Sequence, residues 1–217
     1  MTTGRTSYRP DGRRPRRPRL TPSIAVLLLA GCAAPIVSAR SSSAPEQPYR
    51  RLVVAAPLTN PQARAEVEGA FVDALVARGV VATESASLVP PTKTYTPEEL
   101  LARLREPGAQ ALLAITLPDA YPVESDWSSV LARVDRGDLA RVSSGADRQS
   151  RASPGYAPHS GLLSFELQLI DLASARAVWS AKTRTPQSEY PLSRLDRTYR
   201  WVAGKAVASL HRDVLVP

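Results

Sequence analysis

The chain has 217 residues, 28 basic and 20 acidic side chains, and a formal net charge of +8. Eleven glycines and one cysteine exclude a collagen or a disulfide scaffold, and an apolar fraction of 43% is enough for one packed domain. The basic excess is local. Residues 1–31 hold seven arginines and one aspartate, which leaves 21 basic and 19 acidic groups elsewhere. We therefore expect no nucleic-acid partner.

The N-terminus has the pattern of an export signal. An arginine-rich segment precedes the apolar stretch 20–30, which is too short to cross a bilayer core of about 30 Å. The sequence LAGC at 29–32 resembles the lipobox of bacterial lipoproteins. This resemblance implies cleavage of a signal peptide between Gly31 and Cys32, and acylation of Cys32 by diacylglycerol and palmitate-type chains. The alternative is an ordinary Cys32 in an N-terminal segment that is not cleaved.

The residues after the signal, 32–48, are predicted to be the lipidated cysteine and a flexible tether. Their small, polar, proline-rich composition provides too little apolar surface to fold. A coil of this length reaches about 20–25 Å from the membrane. Ala33, where an inner-membrane lipoprotein of enterobacteria has aspartate, implies by resemblance the periplasmic face of the outer membrane. The inner membrane and the cell surface remain alternatives, and in each case the lipid bilayer is a partner.

Residues 49–217 are predicted to form a single periplasmic α/β domain. The order of elements is β-α-β-α-β followed by a β-hairpin, so we expect a three-layer-like mixed sheet of about five strands packed with three main helices. The elements of the first half are a strand at 51–56, a helix from the cap Asn60-Pro61 to Gly79, a strand from 80, a helix begun by the capping box 96–99, and a strand at 111–117.

The second half contains an irregular insertion and then regular structure. The insertion covers 119–160, where 127–134 could form a short helix or an edge strand, and the remainder lacks periodicity. Beyond it, Phe165, Leu167 and Leu169 alternate with polar residues and predict a half-exposed strand. We expect this strand to form a hairpin with the segment around Trp179. Apolar residues at helical spacing then predict a long amphipathic helix at 191–212.

This arrangement resembles a group of bacterial envelope lipoproteins that share an α/β domain. The group includes the curli-secretion lipoproteins and the lipoprotein activators of penicillin-binding proteins. The matching pieces are the first strand with Pro57, the helix end Ala77-Arg78-Gly79, the unit 96–117 and the hairpin 167–183. The resemblance implies the fold, an envelope location and a role in binding or scaffolding other envelope components. It implies no active site.

Motifs for catalysis or cofactor binding are absent from the sequence. Histidine occurs at 159 and 211 only, and the single cysteine is assigned to lipidation. The sequence contains no GxGxxG or GxxxxGK[ST] phosphate loop, no GxSxG and no HExxH. We therefore predict no cofactor, no metal and no catalytic residue. The protein is interpreted as a non-enzymatic adaptor or scaffold that binds an envelope protein or peptidoglycan.

The insertion 119–160 carries the candidate partner-binding residues. Exposed aromatic side chains mark interaction sites, and arginines bind carboxylates and phosphates. The candidates are Tyr121, Trp127, Arg148 and Tyr156.

Two alternative functions come from other classes. A hydrolase of envelope polymers would use acidic residues or histidine of the insertion, namely Glu124, Asp126 or His159. A structural subunit would instead self-associate through the edge of the hairpin. The hydrolase requires its three side chains to converge in one pocket, whereas the subunit requires a free strand edge.

Overall fold

The computed structural model describes residues 36–90, 92–118, 120–139, 162–186 and 195–217. In these ranges, six strands form one open mixed sheet in the order β1-β6-β5-β4-β2-β3. The strands are β1 (Val37–Arg40), β2 (Arg51–Ala55), β3 (Val81–Glu84), β4 (Ala111–Thr116), β5 (Leu162–Asp171) and β6 (Arg176–Pro186). The helices are α1 (Pro61–Val76), α2 (Ser85–Leu88), α3 (Pro97–Arg105), α4 (Ser125–Arg133) and α5 (Leu195–Arg212). The predicted α/β class is confirmed, with six strands in place of about five.

The sheet has two parallel strand pairings at one side and three antiparallel pairings at the other. Strand β2 lies between β3 and β4 and runs parallel to both, because α1 and α3 return the chain to the same end of the sheet. Strands β5, β6 and β1 are then added antiparallel to their neighbours. Strand β4 is covered on both faces, which agrees with its uninterrupted apolar sequence.

The predicted helix-start signals are confirmed by the caps that they form. The Asn60 side chain accepts a hydrogen bond from the Ala63 amide at the start of α1. Thr96 and Glu99 form a reciprocal capping box at the start of α3. Hydrogen bonds from the Thr96 amide and hydroxyl hold the pKa of Glu99 below its usual range. Gly79 follows α1 with φ of 77°, a left-handed conformation that glycine adopts without strain.

Helices cover the two faces of the sheet and create two apolar cores. Helices α1 and α5 pack on one face, where Phe71, Phe165 and Tyr199 are fully buried. Helices α3 and α4 pack on the other face through Leu100, Leu104, Trp127 and Val130. Burial of each large apolar side chain contributes about 1.5–3 kcal/mol. The domain is therefore a three-layer α/β/α sandwich. None of its helices in the described ranges has the length and apolar character needed to cross a bilayer.

The predicted hairpin is confirmed as β5 and β6, with a register shift between Leu169 and Ile170. The shift leaves Val178 of β6 as an extra residue, so that Val178 and Trp179 both face the core on the α5 side. Trp179 of β6 is fully buried, and its indole N–H donates to Asp213 just beyond α5 at 2.8 Å. Trp201 is partly buried against the same core.

The described part of the predicted flexible tether is instead part of the fold. Residues 37–40 form β1, which pairs antiparallel with residues 179–182 of β6. Beyond β1, the Ser41 hydroxyl and the Ser42 amide donate to the Asp138 carboxylate at 2.6 and 2.8 Å. The composition argument fails here because a four-residue edge strand needs only backbone partners, and the open edge of β6 supplies them.

The irregular insertion also contains more structure than predicted. Residues 125–133 form helix α4, which resolves the choice between a short helix and an edge strand. Residues 140–161 lie outside the described residues, as do 187–194, where the last helix was predicted to begin. From Leu195 onward that helix is confirmed as α5.

Asp138 fastens the segment after β1 to the domain, so its removal should expose that segment to protease. In Asp138→Asn, the acceptor for Ser41 and Ser42 is weakened, and we expect trypsin to cleave after the exposed Arg40 faster than in the parent chain. Asp73→Asn, an exposed change on α1, is the matched control and should leave the cleavage rate unchanged. Equal rates in the two variants would show that Asp138 does not hold the segment.

The same hydrogen bonds give this attachment a pH dependence. Donation by the Ser41 hydroxyl and the Ser42 amide lowers the pKa of Asp138 from 3.8 to about 2. A lowered folded-state pKa stabilises the fold above the unfolded value, and the contribution is lost as the pH falls through the folded value. The difference in melting temperature between the parent and Asp138→Asn should therefore shrink as the pH falls from 3.8 to about 2.

Candidate functional site

The carboxyl ends of the parallel strands surround a pocket of about 410 Å³. Open α/β sheets bind ligands at this end, where neighbouring strands send their connections in opposite directions. The chain after β2 leads to β3 on one side, and the chain after β4 leads to β5 on the other side. The two connections therefore leave the sheet in opposite directions at the pocket. The lining residues come from three segments: Thr59 and Pro61, then Val89, Pro90, Lys93, Thr94, Tyr95 and Leu100, then Glu124, Ser125, Asp126 and Trp127.

A buried ion pair lies beneath this pocket. Arg64 and Glu68, one turn apart on α1, are 2% and 0% exposed, and their side chains approach to 3.1 Å. The guanidinium also donates to the Ser85 hydroxyl at 3.0 Å and to the Glu124 carboxylate at 3.3 Å. Because a buried charge is costly unless it is paired and hydrogen-bonded, Arg64 requires these acceptors in place.

Glu68 connects three parts of the chain through its two carboxylate oxygens. One oxygen accepts from the Ala56 amide at 2.9 Å, at the end of β2, and from the Ser85 hydroxyl at 2.7 Å. The other accepts from the Ala86 amide at 3.1 Å, in α2. The carboxylate therefore holds the end of β2 and the start of α2 against α1, and these segments lead directly to the lining residues Thr59 and Val89.

The two acidic residues proposed for a hydrolase, Glu124 and Asp126, do line one pocket, but each has a structural partner. Glu124 faces the Arg64 guanidinium with both of its oxygens at 3.3 Å. Asp126 accepts from the Tyr95 amide at 2.9 Å and so fixes the loop before α3. The third residue of that hypothesis, His159, lies outside the described residues.

Helix dipoles make the pocket favourable for negative charge. Helices α1, α3 and α4 all begin at or close to it, at Pro61, Pro97 and Ser125. A helix N-terminus carries a partial positive charge, so the carboxylates of Glu124 and Asp126 are stabilised there. The exposed polar side chains of the pocket are the Lys93 ammonium and the hydroxyls of Thr59, Thr94 and Ser125. The pocket can therefore bind a polar group against an apolar back wall.

The structure places the candidate partner-binding residues in different environments. Trp127 is not the exposed aromatic side chain that its candidacy required: it is 1% exposed and packs in the core between α4 and the sheet. It does line the pocket, and its role in partner binding stays a prediction. The amphipathic spacing of α4 turns this side chain inward with Val130. Tyr121 is partly buried and lies beside Tyr199, whose pKa is raised chiefly by its own burial. Arg148 and Tyr156 lie outside the described residues.

The lipidation residue Cys32 and the cleavage-site residue Gly31 also lie outside the described residues. Ile36, four positions after the cysteine, is the first residue that the structure describes. Their assignment stays a prediction from the lipobox.

Sequence reasoning missed Arg64, Glu68, Ser85, Lys93 and Tyr95. A signal for the first two was present, since Arg64 and Glu68 continue the spacing of Phe71 and Leu75 on the buried side of α1. A charged pair four residues apart on an apolar face indicates a buried ion pair. Ser85, Lys93 and Tyr95 lie in connections whose course is set by tertiary contacts, and no local pattern distinguishes them.

A second pocket, of about 540 Å³, lies at the opposite end of the sheet. Tyr49 donates to Asp171 there at 3.0 Å, and burial together with the negative charge of Asp171 raises the pKa of this tyrosine. Arg105 donates to the Leu172 carbonyl beside it. These polar groups are paired with each other at the end of β5 and at the end of α3. Among the described residues, no three or more His, Cys, Asp or Glu side chains are placed to hold a metal ion.

The edge of the hairpin proposed for self-association is covered along part of its length. Strand β1 occupies residues 179–182 of β6, so the edges of the six-stranded sheet are β1 and β3. Self-association through β6 at these positions would require β1 to leave.

Comparisons with known proteins found several solved structures to which this chain is similar. No family model and no curated protein matches the chain. A PelC dodecamer from Paraburkholderia phytofirmans is 13% identical, with 85% of this chain and 99% of that one covered and a TM-score of 0.44. Lipoprotein GNA1162 from Neisseria meningitidis is 14% identical, with 74% and 99% covered and a TM-score of 0.38.

A PDZ domain protein from Parabacteroides distasonis is also similar. It is 12% identical, with 82% of this chain and 35% of that one covered and a TM-score of 0.41. Similarities of this size assign neither a family nor a function.

Proposed function

We propose that this protein is a lipid-anchored, non-enzymatic component of the bacterial cell envelope that holds a partner at the carboxyl-end pocket. The observation that carries the proposal is the LAGC sequence at 29–32, in which the single cysteine of the chain follows a charged segment and a short apolar stretch. Two acyl chains on Cys32 anchor a protein stably, because each buried methylene contributes about 0.8 kcal/mol. The proposed location is the periplasmic face of the outer membrane.

The contacts of the two pocket carboxylates support binding over catalysis. A general acid or base must be able to exchange a proton with a substrate. Glu124 is committed to Arg64, and Asp126 is committed to the Tyr95 amide. Loss of either contact would leave a buried guanidinium or a backbone amide short of an acceptor.

The exposed groups at the rim support a polar partner. Lys93, Thr94 and Ser125 are exposed, and Tyr95 is half-buried beside them. An ammonium and two hydroxyls can donate to the carboxylates and carbonyls of an envelope protein or of peptidoglycan peptides. Donors arranged around an apolar wall are typical of specific binding pockets.

A hydrolase remains the second candidate because Glu124 and Asp126 line the same pocket. In that case Glu124 would release Arg64 when substrate binds. Hydrolysis of purified peptidoglycan that is lost in Glu124→Gln would favour this candidate over the adaptor.

Lipidation is tested by metabolic labelling with a radioactive fatty acid. We expect label on the parent chain in the outer-membrane fraction and none on Cys32→Ser, because the thiol is the acceptor of the lipid. Ala33→Ser changes the adjacent residue without removing the thiol and should keep the label. Label on Cys32→Ser, or on neither chain, would contradict the anchor.

Partner binding is tested by site-specific photo-crosslinking in intact cells. A crosslinking amino acid at Thr94, on the pocket rim, should capture a discrete envelope component. The same amino acid at Val76, which is 54% exposed at the end of α1, should not. Both positions are exposed to solvent, but only Thr94 lies at the pocket. Identical capture at both positions, or at neither, would contradict binding at the pocket.

A further inference from the structure

We infer that one corner of the sheet lies against the surface of the phospholipid bilayer. This anchor corner consists of Val37, Lys182 and Glu166, which lie side by side on β1, β6 and β5. The inference rests on the proposed lipidation of Cys32. Beyond the anchor itself, it identifies the surface of the domain that faces the membrane.

The first step is the length of chain between the anchor and the fold. Four residues, 33–36, separate Cys32 from Val37, the first residue of β1. At about 3.3–3.6 Å per residue, this chain spans at most about 18 Å when fully extended. A tether reaching to residue 48 would have allowed the domain to turn freely, but β1 removes most of that length. Val37 must therefore stay close to the lipid headgroups.

The second step is the direction of β1, which decides the end of the sheet that is near the membrane. Val37 pairs with Lys182, Lys182 pairs with Glu166, and Glu166 pairs with Thr116, the last residue of β4. The chain thus enters the fold at the carboxyl end of the parallel strands, which is also the end where the candidate pocket lies. A partner that binds at this pocket would therefore be bound close to the membrane.

The third step is the chemistry of the corner. Val37 is an exposed apolar side chain, with 55% of its surface accessible. Lys182 and Glu166 beside it form an ion pair of 2.9 Å and are 30% and 39% exposed. An apolar residue next to a lysine with a long aliphatic stem is compatible with the interfacial region of a bilayer, where the ammonium stays among headgroups. A bilayer against β1 would also shield the outer edge of this strand from pairing with other chains.

The structure supplies a matched control position for the test. Val81 is 61% exposed and lies on β3, the opposite edge of the sheet. Five strand spacings of about 4.8 Å separate the two edges, a distance of about 24 Å. Val81 also pairs with Arg51, the first residue of β2, and so lies at the amino end of the parallel strands.

The experiment uses the full, processed chain in vesicles of phosphatidylethanolamine and phosphatidylglycerol, some of which carry a headgroup nitroxide quencher. Val37→Cys and Val81→Cys are each labelled with a thiol-reactive fluorophore, and both sites are exposed, so the fold should tolerate the changes. The parent chain serves as the blank, because its cysteine is blocked by lipid. We expect the label at 37 to lose most of its fluorescence and the label at 81 to keep it.

The other outcomes overturn the inference in distinguishable ways. Vesicle-bound protein with equal quenching at both positions, or with none at either, would show that the corner does not face the bilayer while leaving the anchor intact. Protein that fails to float with the vesicles, or a parent chain that reacts with the thiol reagent, would overturn the anchor and with it the inference.

Discussion

The buried pair of Arg64 and Glu68 is the interaction on which the carboxyl end of the sheet depends. An arginine that is 2% exposed and a glutamate that is 0% exposed can be accommodated only if every strong donor and acceptor is used. The protein meets this condition with Ser85, Glu124 and the amides of Ala56 and Ala86. These partners belong to separate segments of the chain. The same contacts that satisfy the charges therefore hold Glu124 in the pocket and fix the segments that lead to its other lining residues.

Local sequence signals predict most of the architecture because each carries its own physical cause. Asn60-Pro61 and the capping box at 96–99 satisfy helix amides, Gly79 allows a left-handed helix end, and the apolar run at 111–117 requires cover on both faces. Each of these features depends on residues a few positions apart. Strands β2 to β6 and the long helices follow from such local causes.

The edge strand and the pocket depend on partners that are distant in sequence, and sequence reasoning missed them for this reason. Strand β1 has an unremarkable composition and forms because β6, some 140 residues later, offers an open edge. Trp127 was a candidate for an exposed aromatic residue because it lies in the irregular insertion, whereas the helical period of α4 turns it into the core. The buried pair on α1 was visible as spacing, but its acceptors at Ser85 and Glu124 were not.

The most direct test of the central claim compares two arginines that each pair with a glutamate three or four residues later in the chain. Arg64→Met leaves Glu68 buried without its counter-charge and should lower the free energy of unfolding in urea by about 3–5 kcal/mol. Arg103→Met breaks the exposed pair with Glu106 and should cost no more than about 1 kcal/mol. Equal losses in the two variants would contradict the claim that the buried pair holds the carboxyl end of the sheet together.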